Sequence, residues 1–185
     1  KASPHQISNL GIARAFQNIE LFSGMTVLDN LLLARHQNLN YNFFQALIYF
    51  GKTSRVEAKN RAYVEDVIDF MELEPYRKSM VGSLAYGIQK RIEVARALTL
   101  GPQLLLLDEP MAGMNVEEKE DMVRFIMDIL KERHITVILV EHDLGVVMDI
   151  SNQVFVFDFG ELIGSGTPEE VAKNPKVVEA YIGEE

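Results

Sequence analysis

Four consecutive leucines run into a carboxylate at Leu104–Asp108, and this LLLLD stretch constrains the fold more than any other. A short apolar run without alternation reads as a strand buried on both faces, as in a parallel sheet covered by helices. The stretch 117–133 then carries Met122, Phe125, Ile126, Ile129 and Leu130 at helical spacing. A second apolar run, ITVILV at 135–140, reads as another buried strand. A short helix at 143–150, a third strand at Val154–Asp158, a turn at Phe159-Gly160 and an edge strand at 161–164 follow, with terminal helices at 168–173 and 176–182. Strands alternating with helices predict a parallel α/β sheet.

Upstream, to about Val81, the pattern is mostly helical. Thr26 is placed as N-cap of a periodic stretch reaching Arg35, and the Asn-rich 38–42 reads as a loop. Val56, Val64, Val67, Ile68 and Met71 give an amphipathic helix over 54–73, ended by Pro75. A further helix spans about 88–99 and stops at Gly101-Pro102.

The chain has 185 residues, 48% hydrophobic and 24% charged, which suits one compact domain with a sizeable core. Lys plus Arg is 18 and Asp plus Glu is 27, so 18 − 27 = −9, a balance that argues against broad nucleic-acid binding. The absence of Cys excludes disulfides and thiolate metal sites. No apolar run reaches the roughly 20 residues a membrane helix needs. The start KASPHQISN has no apolar core of a signal peptide and no initiator Met, so the chain is expected to begin inside a longer protein.

In open parallel sheets ligands bind beyond the carboxyl ends of the strands. Asp108 and Glu109 fall at that end of the first strand, and His142 follows the second in LVEHD. Taken singly, Asp108 reads as a turn cap and His142 as a helix cap. Together, two carboxylates and an imidazole at one edge can hold hydrated Mg²⁺ and activate a water. The segment 84–91, LAYGIQKR, brings small residues to a helix start, where backbone N–H groups and the helix dipole favour an anion.

In this order the pieces resemble the ABC ATPase family. LAYGIQKR is similar to its signature motif, LLLLDEP to its Walker B motif, Ala112-Gly113-Met114-Asn115 to its D-loop and His142 to its switch histidine, while GIARAFQN resembles the Q-loop with Gln17 as the glutamine. With LFSGMTVLDNLLLARH, AGMN, GTPEEV and VVEAYIGEE added, the chain is similar throughout to the ATP-binding subunit of branched-chain amino acid importers.

The resemblance implies an α/β fold: a partial RecA-like parallel-sheet P-loop NTPase core with an inserted helical subdomain. Residues 1–17 would end the N-terminal core region and Q-loop. Residues 18–88 would form the helical subdomain ending in the signature, and 89–185 the C-terminal part of the core. It also implies ATP and Mg²⁺ as ligands. Gln17 would meet the Mg²⁺ and the attacking water, Asp108 would hold Mg²⁺ through water, Glu109 would be general base, and His142 would contact the γ-phosphate. Ala85, Tyr86 and Gly87 would face a nucleotide bound to a second ATPase subunit, identical or not. Transmembrane permease subunits would dock on the Q-loop and helical subdomain, placing the protein peripherally on the cytoplasmic face of the inner (plasma) membrane, with no nucleic-acid partner.

Ala85 stands where the family usually has Ser and Ile88 where it usually has Gln, removing a hydroxyl and an amide from the signature. The Walker A ligands are expected upstream of Lys1. Residues 46–53, ALIYFGKT, imitate that loop, but four bulky apolar residues cannot let successive N–H groups wrap phosphates, and the segment follows Gln17 instead of preceding it. It is expected to belong to the helical subdomain. The P-loop strand is expected beside the Walker B strand, so that Leu105 and Leu107 would lack a neighbour. The chain alone is then expected to be marginally stable, inactive and a weak binder of ATP·Mg²⁺, which nucleotide titration tests.

Other candidates are bland. His5, His36, His134 and His142 show no metal-ligand spacing, the methionines read as packing filler, and Glu117, Glu118, Glu120 and Asp121 favour a helix start. Two alternatives to amino acid import remain open: the ATPase of a lipopolysaccharide or other lipid exporter, and a non-catalytic docking module.

Overall fold

The computed structural model describes residues 10–15, 19–37 and 52–182, with side chains described from 56 to 180 in the last stretch. They fall into two compact units, Lys1–Val140 and Glu141–Glu185.

The first unit is built on three parallel strands in the order β1-β2-β3: β1 (Ile12–Ala15), β2 (Leu104–Asp108) and β3 (Thr136–Val140). Its helices are α1 (Val27–Gln37), α2 (Lys52–Phe70), α3 (Tyr86–Leu98) and α4 (Val116–Glu132). α3 packs on β1 and β2, and α4 on β3. The register pairs Ala13 with Leu105 and Ala15 with Leu107, then Leu105 with Val137 and Leu107 with Leu139. Because side chains alternate along a strand, these residues share one face. Ala13, Ala15, Leu105 and Leu107 are buried there.

Two expectations are corrected. β2 lies between β1 and β3, so Leu105 and Leu107 do not lack neighbours; they are fully buried. β3 is not buried on both faces: Ile138 is 50% and Val140 56% exposed. Among the described residues β3 pairs on one side only, with β2. β1 itself is an addition, a core strand inside a stretch that reads as mostly helical.

The helical part follows local chemistry closely. Thr26 Oγ1 accepts from the Asp29 backbone N–H at 3.1 Å, capping α1 as expected. α2 ends at Phe70 and not at Pro75, which instead sits in a 3-10 turn, Glu74–Tyr76. The terminator is Glu72, at φ 51. Its N–H bonds to Asp69 O at 2.9 Å, and Leu73 N–H to Ile68 O at 2.9 Å, the paired bonds of a Schellman motif. Ile68 and Leu73 are both buried, which supplies the accompanying apolar contact. The segment 38–51, including the expected Asn-rich loop and most of the imitation P-loop, lies outside the described residues; Lys52 and Thr53 open α2.

Glu72 also ties α2 to α4. Arg124 Nη1 and Nη2 donate to Glu72 Oε1 and Oε2 at 2.9 and 3.0 Å. The Arg124 hydrogen bond holds the Glu72 carboxyl below its ordinary range despite some burial, with the Arg124 and Arg91 charges helping. A folded pKa below the unfolded one gives stability that is present above the unfolded value and lost as pH falls through the folded one. Both side chains are about half exposed, 56% and 44%, so solvent screens the pair. Glu72→Gln should therefore cost at most about 1 kcal/mol at pH 7. Urea melts should show that cost vanishing once both carboxyl states are protonated.

The second unit contains α5 (Leu144–Ile150), the antiparallel pair β4 (Val154–Asp158) and β5 (Glu161–Gly166), α6 (Pro168–Val171) and α7 (Pro175–Ile182). Val154, Val156, Val171 and Val177 form its core, with Val147, Met148 and Ile163 against them. Phe155 and Phe157 alternate to the opposite, exposed side. A capping box between Thr167 and Glu170 starts α6.

Candidate functional site

The parallel strands present their carboxyl ends together, which places Asp108 at the edge where ligands bind in such sheets. Asp108 is one residue beyond the buried Leu107 and falls on the face opposite to it. Arg14 of β1 shares that face, and its Nη2 donates to Asp108 Oδ2 at 2.6 Å. Sequence reasoning missed Arg14; the signal was the alternation of IARA, which points Arg14 away from the two buried alanines.

Glu109 leaves the strand in a left-handed conformation, φ 46. Its N–H donates to Val140 O at 2.9 Å, fastening the end of β2 to the end of β3. For a residue with a Cβ this conformation costs about 1 kcal/mol. The cost places the Glu109 side chain off the strand's alternation, in the turn that begins the Ala112–Asn115 segment. Ala112 N–H closes on Glu109 O at 3.2 Å, and Met114 N–H on Met111 O at 3.2 Å.

Asn115 then starts α4 with a capping box. Its Oδ1 accepts from Glu118 N–H and its N–H donates to Glu118 Oε2, both at 3.0 Å. Gly87, at the start of α3, is where this box meets the helix: a Cβ there would fall on the Glu118 carboxylate. Gly113, φ 77, is overlain by the Tyr86 ring, whose Cε1 would be 3.1 Å from a Cβ at that position. The fold thus brings the expected signature residues Tyr86 and Gly87 against Gly113 and the Asn115–Glu118 box, and the same elements enclose a cavity of about 70 Å³ lined by Met114 and Phe125 among others.

Ala85 is the N-cap of α3 and makes no side-chain cap bond. Sequence reasoning also missed Gln89, whose Nε2 donates back to Leu84 O at 2.8 Å. Ile88, which cannot make such a bond, lines the cavity instead. Ala85→Ser should add the missing cap and raise stability by about 0.5–2 kcal/mol, read as a higher denaturant midpoint at unchanged slope.

Midway along α3, Glu93 is 2% exposed and its Oε1 accepts from the Glu20 N–H at 3.3 Å. Burial pushes the Glu93 carboxyl up; the Glu20 amide and the Lys90 and Arg96 charges oppose this. Lys90, also buried, lies 6.0 Å from the Tyr86 ring centroid.

His142 belongs to the second unit. Its imidazole is 71% exposed, with Nδ1 3.9 Å from Glu141 Oε2. It does not cap α5; Asp143 does, accepting from Val146 N–H at 3.4 Å. Gln17 lies outside the described residues. Among the described residues no three or more His, Cys, Asp or Glu side chains converge on a metal position. Asp108 and Glu109 nevertheless suit a hard cation that takes one or two carboxylates and completes its shell with water and phosphate oxygens, as Mg²⁺ does.

Residues 2–112 match the model of the ABC transporter family. The chain belongs to that family. It is thereby the nucleotide-binding, ATP-hydrolysing part of an ABC transporter, and residues 161–185 of this ABC chain also match a family described as branched-chain amino acid ATP-binding cassette transporter. The chain is 39% identical over 180 residues to the high-affinity branched-chain amino acid transport ATP-binding protein BraF of Pseudomonas aeruginosa, covering 97% of this chain and 71% of that protein. It is 36% identical to LivG, a protein of the same description in Escherichia coli, covering 97% and 70%. A crystal structure of the ADP conformation of an ATP-binding cassette superposes with a TM-score of 0.79 at 30% identity, covering 98% of this chain and 72% of that one. A nucleotide-free cassette gives 0.78 at 29%, with the same coverage. Among the described residues of the ABC chain, no helix is long and apolar enough to cross a membrane.

Proposed function

We propose that this ABC chain energises the import of branched-chain amino acids. The observation that carries the reading is the match of residues 161–185, covering β5, α6 and α7, to the branched-chain amino acid family. The BraF and LivG likenesses support it.

Asp108, with Gln17, would hold Mg²⁺. When bound, that ion would neutralise phosphate charge during transfer. Glu109 accepts a proton from the attacking water, and His142 donates to the γ-phosphate. Arg14, donating to Asp108 Oδ2, orients that carboxylate at the sheet edge. The N–H groups at the start of α3, around Ala85, Tyr86 and Gly87, face a nucleotide on a second ATPase subunit. Ala112, Gly113, Met114 and Asn115 carry that contact to Asp108 and Glu109 through the Tyr86 packing on Gly113. Residues 18–88 act as the helical subdomain that meets transmembrane permease subunits, with 1–17 and 89–185 forming the core, and the assembly sits on the cytoplasmic face of the membrane.

Reconstitution with its permease subunits and binding protein in proteoliposomes tests the reading. Uptake of labelled leucine, isoleucine or valine that requires ATP on the ATPase side is expected. ATP-dependent lipid efflux without amino acid uptake would replace it.

A further inference from the structure

Residues 19–22 precede the turn before α1 and belong to no helix or strand. A linker of this kind still has backbone groups that need partners. Here they are found on side chains. Glu93 Oε1 accepts from Glu20 N–H at 3.3 Å, and Arg96 Nη1 donates to Glu20 O at 2.6 Å. Both side chains come from α3, so the backbone of one residue is gripped on its N–H and its C=O by a single helix. Two residues on, the grip changes helix. Asn30 of α1 accepts from Phe22 N–H at 2.9 Å through Oδ1 and donates to Phe22 O at 3.1 Å through Nδ2.

Glu93 and Asn30 are almost wholly buried, so water does not stand in for them. A buried carboxylate is a costly way to fill space, and an apolar residue of similar volume would pack there more cheaply. Among the described residues Glu93 Oε2 has no hydrogen-bond partner, and the hydrogen bond Glu93 does make goes to the Glu20 peptide. What the group gains by being polar is therefore a fixed Glu20.

We propose that Glu93 and Arg96 are positioning residues that lock Glu20 to the signature-bearing helix α3, while Asn30 locks Phe22 to α1. A strand ladder would fix these residues continuously. Two separate side-chain grips hold the segment instead at Glu20 and Phe22. Arg96 lies in the last turn of α3 and Tyr86 and Gly87 in its first, so displacement at the signature is passed along one helix to Glu20.

The test uses the full chain with Glu93→Ala, Glu93→Gln and Arg96→Ala, read by amide hydrogen exchange and by steady-state MgATP kinetics. In Glu93→Ala the Glu20 amide should exchange at least about tenfold faster, with the Phe22 amide, held by Asn30, unchanged. Glu93→Gln keeps an acceptor oxygen and should restore slow exchange. Arg96→Ala leaves the buried side intact and guards against a misfolded Glu93 variant; it too should speed Glu20 exchange and spare Phe22. The kinetic arm rests on the ATPase reading: kcat should fall about tenfold in both alanine variants, with KM within about twofold, and recover in Glu93→Gln. Unchanged Glu20 exchange, equal acceleration at Phe22, or a Gln variant as defective as Ala would overturn the proposal. The exchange arm needs no nucleotide, so it decides the proposal separately from the ATPase reading.

Discussion

Glu109→Gln should lower ATP turnover by about 10²–10⁴-fold while nucleotide binding stays near the unmodified level. The change removes the carboxylate's proton acceptance. The backbone of residue 109 is held by its own N–H bond to Val140 O at 2.9 Å, and that bond does not involve the side chain. Gln has the size and shape of Glu, so the left-handed turn and the Ala112–Asn115 segment keep their geometry. Single-turnover hydrolysis and nucleotide titration on the same sample separate the two effects. Turnover persisting within tenfold would remove Glu109 as the base. Binding lost in parallel would show that Glu109 holds the nucleotide instead.

Phe125→Ala should be the most damaging core substitution near the site, at about 3–5 kcal/mol. Phe125 is fully buried on α4. Its ring takes Arg91 of α3 at 5.2 Å and Arg124 of α4 at 4.3 Å from the centroid, so it is the apolar floor on which both guanidinium groups rest. Truncation would forfeit the transfer energy and both cation–π contacts. It would also enlarge the cavity of about 70 Å³ that the ring already lines. Urea or thermal melting checks the figure. A loss under about 1.5 kcal/mol would mean that α3 and α4 close over the gap. Arg124→Ala removes only a half-exposed partner and should cost far less.

Much of this architecture is legible in the residues because local signals and burial agree. LLLLD is a central strand, and the stretch expected as an amphipathic helix is α4, whose Met122, Phe125, Ile126 and Ile129 are all buried. The elements that escape the sequence are those decided by neighbours. β1 is four residues with an arginine in the middle, and only pairing with β2 makes it a strand. ITVILV carries no mark separating a strand covered on both faces from one covered on a single face. Pro75 is the louder breaker in the sequence, yet Glu72 ends α2 through a left-handed turn that glutamate seldom adopts. At the site, Asp108 and Glu109 are readable from position alone. Their companions are not: the Arg14 bond depends on strand register, and the Tyr86–Gly113 packing depends on two segments separated by a strand and a turn.

Among the described residues β3 pairs on one side only, and this has a practical consequence. Its sequence, TVILV, has no charge and no proline, and Ile138 and Val140 are more than half uncovered or close to it, at 50% and 56%. Natural sheet edges usually carry lysine, proline or a bulge to keep other chains from adding a strand. β3 carries none of these, so concentrated preparations of this polypeptide should recruit one another through it, and a single lysine at Ile138 should slow that association more than any change on the helices.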